Sequence, residues 1–500
     1  MDRRMFINTT TLTGAGVIVS PLLKGGNSIL PEAIEIPATK IPVILEADVV
    51  VIGGGPAGFG AAMRAARNGL STVLVERYSG PGGAATSGYM CVTGQGATFP
   101  LHTEWVDGLR KEGWLFDAWK AYPQLENNVL VHQSGRNSFY PDDGAYIMTE
   151  MLEKANVKML FLTSFVDTVL KHNLQGDDTI DAIVVENASG RQAIRGKIFI
   201  DSTGIADVVA RSGAPYISPG NSKGQPVPPS VMYKVSGVDY AKLFDYQKID
   251  PALWTAIAKA RAAGDMPIEL YPQYQFEIGG GWEGYRGHPQ LNMCAIRGNG
   301  EMLIWGFPPN EWAINAAENG FDASRGTIGI RRLNVAEVKF LKKYVPGFEN
   351  AYLSGMAPYM AIREGRHPQG EYVLSMDDII NQRKFPDAVL KNRQGDTMDW
   401  GEDMKQRPNE HGEMVWRKPK RTNLPSYTFD IPYRALLPKK IDNLILSGEC
   451  LSSTYEWFYS RRLIPWCMRT GEVAATAATM AVKQGISAKE VQWNRGYYND

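Results

Sequence analysis

One stretch constrains this chain more than any other, residues 48–76, DVVVIGGGPAGFGAAMRAARNGLSTVLVE. Asp48 to Ile52 is an apolar, β-branched run after its first residue, the pattern of a parallel strand buried on both faces. Gly53, Gly55 and Gly58 follow as G-x-G-x-x-G, with Ala57 between the last two; Ala61, Ala62, Ala65 and Ala66 then recur at helical spacing as far as Asn68-Gly69. Thr72 to Val75 gives a second strand, which ends in Glu76, eighteen residues after Gly58. Strand, glycine turn, helix and acid-tipped strand in this order read as a βαβ unit that binds a dinucleotide. Gly53 permits the sharp turn, Gly55 lets bare backbone approach a pyrophosphate, and Gly58 lets the helix close onto the sheet. The helix N-terminus offers unpaired N–H groups and about half a positive charge to the phosphates. A carboxylate at Glu76 accepts both ribose hydroxyls of an adenosine and repels a 2′-phosphate. Context decides the reading, because Gly279 to Gly284 matches the same pattern. There Tyr285-Arg286-Gly287-His288-Pro289 follows, which cannot begin an amphipathic helix, so that match reads as a loop.

The rest of the composition narrows the class. The 500 residues suggest two or three domains, and 44% hydrophobic with 21% charged residues is globular rather than disordered composition. Lys+Arg and Asp+Glu are 53 each, so no global field draws in nucleic acid or an anionic membrane. Cys91, Cys294, Cys450 and Cys467 include no C-x-x-C, and the six His form no H-x-x-x-H pair, so no metal site, cluster or haem attachment is expected. Cys91, close after a Gly-Gly segment, reads either as a small buried hydrophobe or as a redox-active thiol. At the amino terminus, Arg3-Arg4-Met5-Phe6 precedes a short apolar stretch, Leu12 to Leu23, followed by Lys24. This resembles a twin-arginine export signal, and the run is too short to span a bilayer. Residues 1–44 are therefore expected to be signal and linker, and the protein periplasmic or otherwise exported.

Residues 48–76 resemble the FAD-binding opening of the glutathione-reductase-like flavoproteins. The likeness continues through Arg77 into Gly80-Pro81-Gly82-Gly83-Ala84-Ala85-Thr86, similar to the segment that lies along the FAD in that group. Ile198 to Asp207, IFIDSTGIAD, is similar to the family's I-D-A-T-G-D-x-D and brings Gly204 and Asp207 to the cofactor, with Ile205 as the departure. Between these, Asp143 to Ala155 reads as a helix. Lys158–Thr163 reads as a further parallel strand; Val166–Leu170, Ile180–Glu186 and Gln192–Arg195 read as a meander capping the sheet. The longest match is carboxyl-terminal. Ile431 to Cys450, with Gly448 and Glu449, and then Ser460 to Gly471, with Arg462 and Pro465, look like the last strand and flavin-side helix of FAD-dependent oxidoreductases related to fumarate-reductase-type flavoproteins. Such a helix start stabilises negative charge on a reduced flavin. Pro465 suits its first turn, and Gly485 stops it.

The resemblance implies an α/β fold: a Rossmann-like FAD-binding domain, with a parallel sheet and three-stranded β-meander, plus an inserted substrate or cap domain. Residues 45–100, 140–216 and 425–490 are expected in the FAD-binding domain, and 101–139 and 217–424 in the substrate region. Ala361-Ile362-Arg363-Glu364-Gly365-Arg366 resembles the family's I-R-E-x-R segment. Arg363, Arg366 and Arg462 are candidates to grip an anionic or polyhydroxylated substrate; an Arg-Glu-x-Arg cluster serves equally well as an ion-pair network between domains. Tyr455, where relatives commonly carry His, and His367 are candidate proton shuttles. The function implied is oxidation or reduction of a small polar molecule, first as dehydrogenation of an alcohol, sugar or amine C–H, second as reduction of an activated C=C in a carboxylate. A non-catalytic FAD-fold binding protein is the third reading. Electrons must pass to an external acceptor: oxygen, a quinone or a carrier protein.

Overall fold

The computed structural model describes residue 34 and residues 36–493 apart from 91, 94–98, 122–137, 175, 221–228, 251–252, 266–292, 307–314, 392–404, 409–413, 418–428, 456 and 459–461. The twin-arginine segment, Cys91 and the Gly279–Gly284 match lie outside these residues. Residues 1–41 form a unit of their own, and Pro42–Asp500 form a second, which holds every element of the fold.

Strand β1 (Val43–Ile52) is fully buried only over Val49–Ile52. Its alternation sends Val49 and Val51 into one core with Phe59, Met63 and Trp466, and Val50 and Ile52 into another with Ile183, Phe199 and Val209. Both faces are covered, which is why that segment reads as a continuous apolar run. Helix α1 (Pro56–Arg67) leads to β2 (Thr72–Val75), parallel to β1, and α2 (Pro141–Lys154) leads to β3 (Lys158–Leu160), parallel to β2. Next come β4 (Ser164–Lys171), β5 (Thr179–Asn187) and β6 (Gly190–Asp201); β5 is antiparallel to both its neighbours, and β6 is parallel to β1. A short helix, α3 (Asp207–Arg211), follows β6.

A second sheet is built from β7 (Tyr233–Ser236), β8 (Met293–Arg297), β9 (Glu301–Ile304) and β10 (Tyr352–Met356), all antiparallel, in the order β10-β7-β9-β8. It has its own core, with Tyr233, Val235, Leu243, Phe244, Leu341 and Phe348. The chain then returns to the first sheet as β11 (Leu444–Leu446), parallel to β6, and ends in α4 (Ile464–Gln484), capped by Gly485 in the left-handed conformation (φ +66). The first sheet thus reads β3-β2-β1-β6-β5-β4, with β11 on β6. Helices α1 and α4 pack almost backbone to backbone. A Cβ on Gly60 would stand 2.1 Å from the Met468 carbonyl oxygen, and one on Gly471 would stand 1.9 Å from that of Ala57.

The expectation of separate strands at Gln192–Arg195 and Ile198–Asp201 is corrected: both belong to the single strand β6. Its first half pairs with β5 and its last three residues with β11, and the polar Arg195-Gly196-Lys197 marks the change of partner. The meander therefore widens the main sheet rather than standing apart from it. Leu101, Trp105 and Leu109, expected in the substrate region, pack into the first core, as do Leu374, Ile379, Val389 and Leu390. They share that core with Phe59 of α1 and Trp466 of α4, a contact that no local sequence pattern displays.

Candidate cofactor and substrate site

The turn between β1 and α1 is shaped by what its glycines lack. Gly53 has φ +94, and a Cβ there would stand 2.5 Å from the Ser202 carbonyl oxygen; a Cβ on Gly58 would stand 1.8 Å from the carbonyl oxygen of Gly53. Both positions are closed by the protein itself. Gly55 differs: its backbone (φ −62, ψ −175) suits any residue, and nothing lies within 4 Å of a Cβ placed there. It is the N-cap of α1, so the open space lies where the helix N-terminus presents its amides. A side chain would fill this cradle, and a diphosphate fits it.

Glu76 walls the cradle. Gly54 N–H donates to its Oε2 at 2.5 Å and Tyr78 N–H to its Oε1 at 2.8 Å. Burial pushes the carboxyl above its ordinary value, and these amides oppose that shift. Each oxygen keeps a lone pair for a ribose hydroxyl. Gly82 (φ +103) donates to the Gly54 carbonyl at 2.7 Å, and a Cβ on Gly83 (φ +49) would stand 2.9 Å from Gly55 Cα. Thr86 Oγ1 donates to the Pro81 carbonyl at 2.6 Å and so closes this loop on itself, with Ala84 exposed. The guanidinium of Arg77 lies 5.2 Å from the Tyr78 ring centroid, and Tyr78 stacks on Tyr359 at 4.2 Å. Neither tyrosine stands out in the sequence, because nothing local tells that residues 78 and 359 meet.

The other end is formed after β11. Gly448 (φ +63) lies so close to α1 that a Cβ would stand 2.6 Å from Ala57 Cβ, and its N–H donates to Thr470 Oγ1 at 2.8 Å. Next to it, burial pushes the Glu449 carboxyl up to about 7, against the opposing pull of Arg462 and Arg363. Glu449 Oε2 is 3.5 Å from where a Cβ on Gly204 (φ +75) would lie, which joins the end of β6 to this site. Pro465 occupies the first turn of α4. Arg363 is buried, and Arg462 is partly buried just before the helix.

Other candidates are held by the protein. Arg366 donates from Nη1 to the Ile205 carbonyl at 2.8 Å and to Asp207 Oδ1 at 3.1 Å, with Nε 3.5 Å from Glu318. Of its two sequence readings, the geometry places it in the ion-pair network, and it takes the Asp207 carboxylate with it. His367 is buried, its Nε2 2.8 Å from Glu364 Oε1, and the same oxygen accepts from Gly220 N–H at 2.6 Å. The ring is locked in this pair and against Phe458 rather than presented as a proton shuttle. Tyr455 is half-buried between β11 and α4. One buried acid lies in the I-D-x-T-G match without a role assigned to it there. Asp201, at the end of β6, accepts from the amides of Thr203, Val208 and Val209 and from Thr203 Oγ1, and so holds α3 in place. Its position at a strand terminus before Thr-Gly was the available signal.

A family profile described as FAD dependent oxidoreductase matches residues 48–497. Dihydrolipoyl dehydrogenase of Vibrio parahaemolyticus is 64% identical over 39 residues, and that of Haemophilus influenzae 59% identical over 39; each match spans 8% of this chain and 8% of the relative. Among solved structures, a geranylgeranyl bacteriochlorophyll reductase-like protein from Thermoplasma acidophilum superposes with a TM-score of 0.42 at 12% identity, covering 88% of this chain and 80% of that one. A flavoprotein/dehydrogenase from Cytophaga hutchinsonii gives 0.40 at 13% identity, covering 90% and 81%.

Proposed function

The chain belongs to the FAD dependent oxidoreductase family, and from that premise we propose that it dehydrogenates a C–H of a small polar substrate, an alcohol, a sugar or an amine. It is an oxidoreductase, and its cofactor is FAD. When bound, FAD supplies hydride and single-electron chemistry. The chain's own residues hold and tune it. The amides of the Gly53–Gly58 turn take the diphosphate, Glu76 the adenosine ribose, and Gly82 to Thr86 the adjoining linkage. Gly204, Gly448 and Glu449 border the far end, where the N-terminal turn of α4 at Pro465 favours negative charge.

The observation that carries the substrate reading is one buried carboxyl, Glu449, whose titration feels the charges of both Arg462 and Arg363. Two guanidinium groups at this end orient vicinal oxygens of a substrate, and the buried acid exchanges a proton near neutral pH. The same pair supports a second reading, reduction of an activated C=C in a carboxylate, because planar guanidinium forks match carboxylates as well. Export through the twin-arginine-like terminus, and an external electron acceptor, complete the proposal.

Anaerobic bleaching of the bound flavin tests it, against a panel of alcohols, sugars, amines, amino acids and unsaturated acids. Bleaching by an alcohol, sugar or amine is expected, and the rate of recolouring in air then tells whether oxygen is the acceptor. A flavin left yellow by all of these, but recoloured after dithionite reduction by an unsaturated acid, overturns the first reading in favour of the second.

A further inference from the structure

Between the cofactor loop and the second sheet lies a polar cluster that the cofactor does not account for. Tyr89 follows the Gly82–Gly88 loop directly and has φ +61, a left-handed conformation that costs a tyrosine energy and marks a constrained site. Its amide and that of Met90 bond back to the loop, at Thr86 and Ala84. From the second sheet, Lys234 on β7 donates to the Tyr140 hydroxyl, and its ammonium lies 4.4 Å from the Tyr140 ring centroid. The two groups converge over Gly355 of β10. A Cβ on Gly355 would stand 3.8 Å from the Tyr89 hydroxyl oxygen and 3.9 Å from Lys234 Cε. The register of β10 on β7 shifts between Leu353 and Gly355, an irregularity of the kind that re-aims side chains beside active sites.

Among the described residues, hydrogen bonding leaves this cluster incomplete. Lys234 is the donor to Tyr140, so the phenol's own proton points elsewhere. Among the described residues neither the Tyr140 hydroxyl nor the Tyr89 hydroxyl meets an acceptor. Charge then selects the ligand. Lys234 lies 3.6 Å from Glu301, and Arg297 lies 3.0 Å from Asp143 and stacks on Tyr140, while burial and the Asp142 charge hold the Tyr89 phenol above its ordinary value. Two cations against three carboxylates give an anion no net attraction, whereas a neutral hydroxyl meets two phenol donors and an ammonium-polarised oxygen.

We propose that Tyr89, Tyr140 and Lys234 form the site that binds a hydroxyl of the substrate, and that the substrate is a neutral alcohol or sugar rather than a carboxylate. This rests on the dehydrogenase reading and narrows it. Tyr89 ties the site to the cofactor loop by one peptide step, so a hydroxyl held there is fixed relative to that loop.

The test uses the FAD-loaded full chain and its variants Lys234→Met, Tyr140→Phe and Tyr89→Phe, each checked for flavin content. Anaerobic bleaching is followed with glycerol, glucose and inositol, and in parallel with lactate and an aliphatic amine. Bleaching of the wild type by at least one neutral polyol or sugar is expected. Lys234→Met and Tyr140→Phe should then slow it roughly 100-fold and Tyr89→Phe roughly 10-fold, with flavin content unchanged. Polyol bleaching at the wild-type rate in all three variants overturns the assignment and leaves the dehydrogenase reading intact. Bleaching of the wild type by lactate or the amine alone overturns the neutral-hydroxyl claim, and bleaching by no compound overturns both.

Discussion

The glycine turn at 53–58 and the arginine segment at 363–367 both meet the cofactor-binding domain, yet they are built in opposite ways. The turn works through missing side chains: Gly53 and Gly58 are pressed against backbone, and Gly55 faces open space. The arginine segment works through side chains that hold one another, with Arg366 on Ile205 and Asp207 and His367 on Glu364. A requirement for glycine is local and survives translation into sequence. A guanidinium's partner is set by tertiary packing and leaves no local mark.

Gly58→Ala should produce the largest effect, because its new methyl would meet a carbonyl oxygen that cannot move without opening the turn. A loss of about 3 kcal/mol or more is expected in thermal melting; an unchanged melting temperature would show that the turn is not packed this way. Next in size is a pH effect at the opposite end of the site. With its folded value raised to about 7 from 4.5, Glu449 binds more protons in the native state across that interval. Its contribution to stability therefore falls as pH rises from about 4.5 to about 7, by on the order of 2–3 kcal/mol in flavin-free protein. Glu449→Gln should flatten this slope, and an unaltered slope assigns it to another group.

Arg366→Met should cost less, about 1–2 kcal/mol in denaturant unfolding, since it removes bonds of a partly buried network. Flavin content and KM should stay unchanged; a raised KM would return Arg366 to the substrate. Smallest is Glu76→Gln, which retains one oxygen to accept from the turn and replaces the other with a donor. FAD titration should show roughly tenfold weaker binding, about 1.4 kcal/mol, with little change in melting.

These effects follow how much was legible. The βαβ opening, the last strand and the final helix with Pro465 and Gly485 were readable because each depends on residues adjacent in sequence. Strand β6 reads in the sequence as two strands, Gln192–Arg195 and Ile198–Asp201; only the sheet reveals that one strand changes partner at Arg195-Gly196-Lys197. The packing of Trp105 and Ile379 into the first core was hidden for the same reason, as was the Tyr78–Tyr359 stack, which joins residues 281 positions apart. At the site, the glycines carry their physical reasons in the local sequence, whereas the partners of Arg366 and His367 are set by tertiary packing.

The central claim is that bare backbone at Gly55 receives the diphosphate of FAD. The most direct measurement is the flavin absorbance of purified Gly55→Val beside its melting temperature. Since the protein leaves that side chain unobstructed, a folded, colourless variant melting near the flavin-free wild type is expected. A yellow variant carrying one FAD per chain would contradict the account.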